Sequence, residues 1–271
     1  MPDPPAKTRP RQSYAFGDSA VASRRLDVLA SVFGLTSTSL LHELSPPPSS
    51  VVLDLGCGPG HTTAMLASVF PGAEVIGLDS SAAFVSQARA APSSRCRYVV
   101  TDVTAPPLPG APADLIYGRF LLVHLRHPHA ALSVWAGQLR PGGLLVVEEP
   151  ERIDTDDTDF VRYLELASIV VAVRGGDLYA GRILADAAPA STEVVISRSA
   201  ALDVPAGRAA TIFSLNLATW GDDPAVAAVA DQAERSDLAA RLERRVTDGS
   251  TGVIRWSMRQ LVVRRRVRPT L

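Results

Sequence analysis

Seven residues, DLGCGPG from Asp54 to Gly60, place three glycines at alternate positions behind a carboxylate. Gly56, Gly58 and Gly60 can adopt positive φ and bring backbone amides against a ligand with no Cβ in the way. An ordinary dinucleotide fingerprint reads G-x-G-x-x-G, with a helix N-terminus facing a pyrophosphate. Here the spacing is G-x-G-x-G, and Asp54 stands at the end of the apolar run VVLDL. A carboxylate beside a pyrophosphate repels it, whereas a ligand carrying an ammonium and a sulfonium is attracted. S-adenosylmethionine is such a ligand.

On these residues the chain resembles the class I S-adenosylmethionine-dependent methyltransferases, whose first motif, D/E-x-G-x-G-x-G, is matched in full by DLGCGPG. The resemblance implies that Asp54, Gly56, Cys57, Gly58 and Gly60 line the cofactor. It implies that Asp79, with Ser80, ends the second strand and holds both ribose hydroxyls, as one carboxylate can. Asp102 and the amide of Val103 would neighbour the adenine. LRPGGLLVVEE, Leu139 to Glu149, is similar to the family's turn into the fifth strand. The likeness runs from about Tyr14 to Arg265, and it is specific for cofactor and weak for substrate. A lone glycine motif is often only a strand-to-helix turn, and Asp79 alone would fit an NAD enzyme. A nicotinamide-dependent oxidoreductase and a non-catalytic S-adenosylmethionine-binding protein are therefore the competing readings.

Methyl transfer is an in-line displacement in which no bond to the protein need form, so positioning alone can supply roughly 7–11 kcal/mol of the acceleration. A hydroxyl or amine acceptor still has a proton to lose. His124, in RFLLVHLRHP after the fourth strand, falls where the family's pocket borders the methyl group and is the general-base candidate; the other reading is that it packs the loop or bonds a carbonyl. His127 and His129 are expected on the solvent side. Glu148 and Glu149 end the fifth strand, where one can orient a substrate or simply bond backbone or an arginine. Arg119 is expected to meet the cofactor, a substrate carboxylate or a structural acid. In small-molecule members the N-terminal helices and insertions near the sixth strand form a lid. That implicates Tyr14, Phe16 and Arg25 on one side, Tyr14 and Arg25 toward the cofactor, and Tyr163, Tyr179, Asn216 and Trp220 on the other. Aromatic residues at helical spacing are also ordinary core.

Other acceptors lack their signatures. YGRF, Tyr117 to Phe120, replaces the N/D-P-P-Y of amino-directed DNA methyltransferases, and Glu148-Glu149 is not the paired-glutamate loop of protein arginine methyltransferases. A small metabolite remains as the acceptor, plausibly of specialised biosynthesis, methylated on O first, N or C otherwise; this step rests on the family. DTDDTD, Asp154 to Asp159, could attract a hard cation. It also directly precedes a helix, where acids suit the positive dipole end, and no metal is expected.

The elements that must position these residues alternate from Val51 onward: strands at Val51 to Leu55, Glu74 to Leu78, Arg97 to Val100, Asp114 to Tyr117 and Leu144 to Val147, with helices at His61 to Phe70, Ser81 to Ala90 and His129 to Leu139. This predicts a doubly wound, mostly parallel α/β sheet of seven strands, the last antiparallel, with helices on both faces. Continuous apolar strands fit burial on both sides. Before it, a helix over Asp18 to Phe33 stops at Gly34, a second covers Ser37 to Leu44, and SPPPSS is a connector. Beyond Pro150, helices are expected over Thr158 to Val173, Arg208 to Thr219 and Pro224 to Val246, with strands at Glu193 to Ser197 and Thr251 to Arg264. The organisation is thus a tail (1–12), a helical lid (13–44) and a core (51–271) with substrate-side insertions around 153–190 and 205–247.

Composition limits the partners. The 271 residues are 46% hydrophobic and 20% charged, with net charge −1, which gives no general attraction to a polyanion. Nucleic acid is not an expected partner, and the basic run at Arg264 to Arg268 reads as a solvated terminus. No apolar run approaches the ~18 residues of a membrane span, and MPDPPAKTRP has no apolar leader region. Two cysteines, Cys57 and Cys96, make no disulfide framework and point to the cytosol. A homodimer is a candidate assembly.

Overall fold

The computed structural model describes residues 16–44, 51–91, 95–247 and 252–267. Tyr14, the 1–12 tail and the proline connector lie outside the described residues. Seven strands form one sheet in the order β3-β2-β1-β4-β5-β7-β6. β1 (Val51–Leu55), β2 (Glu74–Asp79), β3 (Cys96–Val100), β4 (Ala113–Arg119) and β5 (Leu139–Asp154) run parallel, while β7 (Val253–Arg265) is antiparallel to both β5 and β6 (Thr192–Pro205). The strand order reverses between β1 and β4, so a crevice opens at their carboxyl ends, where doubly wound sheets bind ligands.

Helices α1 (Ala20–His42), α2 (His61–Val69), α3 (Ala82–Ala90), α4 (Pro128–Gly137), α5 (Thr158–Val173), α6 (Ala206–Trp220), α7 (Pro224–Ala227) and α8 (Gln232–Thr247) surround it, with 3-10 turns at Leu122–His124 and Ala180–Ala185. One face of the sheet packs Leu40, Leu41 and Leu66 of α1 and α2 on Val52, Val75, Leu115 and Val146. The other packs Leu132 and Trp135 of α4 on Leu53, Ile76, Ile116 and Leu145. A third core lies past the end of β4. There β4 stops at Arg119 opposite Glu148, but β5 continues to Asp154 paired with β7. Ile153, Ile254, Trp256 and Met258 of this extension pack with α1, α5, α6 and α8.

Several elements differ from expectation. α1 is one helix of 23 residues that runs straight through Gly34. A helical glycine costs about 1 kcal/mol relative to alanine, which the flanking buried residues Leu29, Phe33, Leu40 and Leu41 outweigh. The helix expected over Pro224 to Val246 is broken between Ala227 and Gln232. The one expected to reach Leu139 ends at Gly137, because Leu139 already pairs with Ala113 as the start of β5. Residues 140–143 bulge out before pairing resumes at Leu115 and Leu144. β6 extends to Pro205, far beyond Ser197; as an edge strand with mostly exposed side chains it lacks the apolar run by which buried strands are recognised.

Candidate functional site

The glycine turn lies at the crevice. Gly56, Gly58 and Gly60 have φ of 66°, 53° and 98°. At Gly60, which opens α2 without a side-chain cap, a Cβ would lie 2.8 Å from Tyr98 Oη. At Gly56 a Cβ would lie 3.0 Å from Leu121 Cδ1. At both positions φ disfavours a side chain, and a Cβ would have to displace Tyr98 or Leu121. Asp79 Oδ2 accepts the Gly58 amide and Oδ1 the Ser81 amide, each at 2.8 Å. Burial raises its pKa above the ordinary carboxylate value, and the two amides act against that rise. Asp54 is turned to the helix: Thr62 and Thr63 hydroxyls both donate to its Oδ2 at 2.6 Å. Burial pushes its carboxyl up to about 6 against these bonds and the nearby Arg119 guanidinium.

α1 crosses over this turn. Leu26 Cδ1 comes within 3.2 Å of a Gly58 Cβ position, His61 Nε2 meets Asp27 Oδ1 at 2.7 Å, Ser81 Oγ donates to Asp18 at 2.8 Å, and Arg119 Nη1 donates to Ser37 Oγ at 2.8 Å.

Beside the turn, under α1, is an aromatic compartment with a polar thread. Arg25, 3% exposed, donates to Asn216 Oδ1 at 3.2 Å, and Asn216 Nδ2 donates to Tyr163 Oη at 2.6 Å. The Arg25 guanidinium lies over the Phe16 ring, and Phe16 meets the His124 ring edge to face at 5.4 Å. Tyr163 stacks on Phe213 at 4.0 Å and lies 5.7 Å from Trp220. Burial raises the Tyr163 phenol and, with Arg25 adding to it, lowers the His124 imidazole to about 3.

Three comparisons bear on the chain. Residues 52–143 match the family described as "Methyltransferase domain". A protein of Methylobacterium radiotolerans named trans-aconitate 2-methyltransferase is 36% identical over 159 residues, covering 55% of this chain and 60% of that protein. Among solved structures, cyclopropane synthase MmaA2 of Mycobacterium tuberculosis superposes with a TM-score of 0.55 at 17% identity, covering 85% of this chain and 83% of that one. The [4+2]-cyclase SpnF superposes at 0.52 with 20% identity, over 86% and 81%. Residues 52–143 form a methyltransferase domain. The chain spans about half the length of the curated relatives it matches, and the structural likenesses speak for the fold alone.

The residues singled out from sequence sit in different settings around the crevice. Asp102 is exposed and its Oδ1 accepts the amide and hydroxyl of Thr104, while Val103 is buried and its carbonyl accepts Trp135 Nε1. Ser80 is exposed beside Asp79. Cys57 is 3% exposed, with a thiol pushed well up by burial. Arg25 faces Asn216 and His124 rather than the glycine turn, because its position on α1 falls over α6. Glu148 is withdrawn from the crevice: it accepts Tyr117 Oη at 2.7 Å and Gln260 Nε2 at 2.8 Å inside the sheet. Tyr179 is half-buried under the Arg182 guanidinium. His127 and His129 are exposed. In the acidic stretch, Asp157 caps α5 and pairs with Arg245, and Asp159 pairs with Arg241 and Arg245.

Four residues were missed. Thr62 and Thr63 directly follow the motif, and paired hydroxyls in a first helical turn were a readable signal. Gln260, a lone amide within an apolar strand, was another. Leu121, which abuts Gly56, left none.

Proposed function

We propose that the chain transfers the methyl group of S-adenosylmethionine to an oxygen of a small acceptor bearing a carboxylate. The cofactor, when bound, supplies a methyl on a sulfonium. A glycine turn held at positive φ, with Asp79 at its rim, is a fitting cradle for it. Asp79 retains lone pairs for ribose hydroxyls, and the first turn of α2, uncapped at Gly60, offers its amides.

The observation that carries the acceptor class is the buried Arg25–Asn216–Tyr163 thread. A guanidinium within an aromatic, water-poor cluster suits a carboxylate. The names of the curated relatives, trans-aconitate 2-methyltransferase, support the same class. A carboxylate is already ionised at neutral pH and needs no proton removed. His124, held near 3, is a weak base there, so its role is to pack against Phe16 and shape the compartment. Phe16 and Trp220 supply walls, and Arg119 braces α1. N- or C-methylation would need another group to accept a proton. The homodimer and the cytosolic location belong to this reading through the family and the two cysteines; among the described residues no helix is long and apolar enough to cross a membrane. A place in specialised metabolism rests on the resemblance alone.

The test is transfer of label from methyl-labelled S-adenosylmethionine to trans-aconitate and a panel of other small carboxylic acids. A base-labile methyl product is expected. Binding of S-adenosylhomocysteine without label on any carboxylate would remove the ester reading, and stabilisation by NAD in place of S-adenosylmethionine would remove the methyltransferase.

A further inference from the structure

Phe120 has φ of 55°, the only non-glycine residue with positive φ among the described residues. Such a conformation costs on the order of 1–3 kcal/mol and persists only where its surroundings hold it. Directly after it comes the 3-10 turn Leu122–His124, which has no side-chain cap of its own. The missing cap arrives from another strand. Glu149, 0% exposed on β5 just past the point where β4 stops, accepts the amides of Leu121 and Leu122 on a single oxygen, Oε1, each at 2.7 Å. Those are two of the amides that the start of a helical turn leaves without an internal partner. The neighbouring Phe120 amide donates to the Glu148 carbonyl at 3.1 Å, so both sides of the strained residue are tied to β5.

What this turn carries matters more than the turn itself. Leu121 is the side chain that abuts Gly56 of the cofactor turn. Its carbonyl accepts the His124 amide at 3.0 Å, and the His124 ring meets Phe16. We infer that Glu149 is a positioning residue: through Leu121 and Leu122 it sets the wall that packs on the glycine turn and fixes the floor of the acceptor compartment. Its second oxygen, Oε2, is buried with no partner among the described residues. Burial raises this carboxyl to about 8 despite the backbone amides, so it is neutral at pH 7 and takes both amides without a bare buried charge.

The inference rests on the methyltransferase reading, and its test separates the two. S-adenosylhomocysteine affinity is measured by calorimetry on the full chain, with thermal unfolding alongside. Glu149→Ala is expected to weaken that affinity at least ten-fold, and Glu149→Gln, whose amide oxygen can take both backbone bonds, to stay within about three-fold of the parent, roughly 0.6 kcal/mol by RT ln 3. Leu121→Ala is expected to reproduce the loss with the carboxyl intact, which covers the case that Glu149→Ala does not fold. Unchanged affinity in Leu121→Ala, or equal loss in the Gln and Ala variants, overturns the inference. No binding by the parent chain overturns the methyltransferase reading itself.

Discussion

The glycine turn draws its shape from residues close in sequence: Asp54 reaches Thr62 and Thr63, eight and nine positions on, and Asp79 reaches Gly58, 21 positions back. The proposed acceptor compartment is gathered from across the chain, with Arg25 bonded to Asn216 at a separation of 191 residues and Asn216 to Tyr163 at 53. The first region is a backbone conformation enforced by glycine, and the second is a packing arrangement enforced by nothing local. The domain match covers the first and ends at residue 143, short of α5 and α6. The bare turn is therefore set by a short stretch of chain, while the aromatic cluster depends on how α1, α5 and α6 pack together.

The comparison breaks most visibly at Gly60. Gly60→Val forces a branched side chain into φ 98° and onto Tyr98, and should weaken S-adenosylhomocysteine binding on the order of 100-fold, since strain of ~1–3 kcal/mol adds to the lost cradle. Calorimetry returning near-parent affinity would mean that the turn is not the cofactor site. On the other side, Arg25→Ala should raise the KM for a carboxylate acceptor about ten-fold or more, as loss of a charge-assisted bond of ~1.5–3 kcal/mol would, while S-adenosylhomocysteine affinity holds. A change in cofactor affinity alone would move Arg25 back to the cofactor.

His124→Asn should lower kcat by less than about ten-fold, against the 10²–10⁴ expected of a general base. A larger drop with a matching pH profile would restore the base. The smallest effect concerns Glu149 and stability. Its carboxyl is raised from 4.5 to about 8 in the fold. Its contribution is thus fully present below about pH 4.5 and is lost as pH rises through about 8. Glu149→Gln lacks this titration, so its Tm should fall less than the parent's across that window, by a few degrees. Parallel Tm curves would show that the carboxyl does not carry a raised pKa.

From the sequence, the parallel strands of the cofactor half were legible because each is an apolar run closed by a turn signal, and Asp54 and Asp79 because they end such runs. Gly34 misled: a helix breaker by propensity, it is carried through α1 by packing on both sides. Glu148 and Glu149 were indistinguishable as neighbours, yet strand alternation sends them to opposite faces, one into the Tyr117–Gln260 network and the other beneath the turn after β4. His124 has a type suited to proton transfer, and the burial beside Arg25 that lowers its pKa to about 3 has no signature in the sequence.

The sequence by itself determined the sheet, the bare turn and the acids that flank it, because these follow from φ preferences, period and residue type over a few positions. The tertiary structure alone decided that Arg25, Asn216 and Tyr163 meet, that Glu149 holds the amides of Leu121 and Leu122, and that burial lowers the His124 imidazole. Contacts between residues far apart in the chain, and the desolvation they impose, are properties of the packed chain and have no local signature.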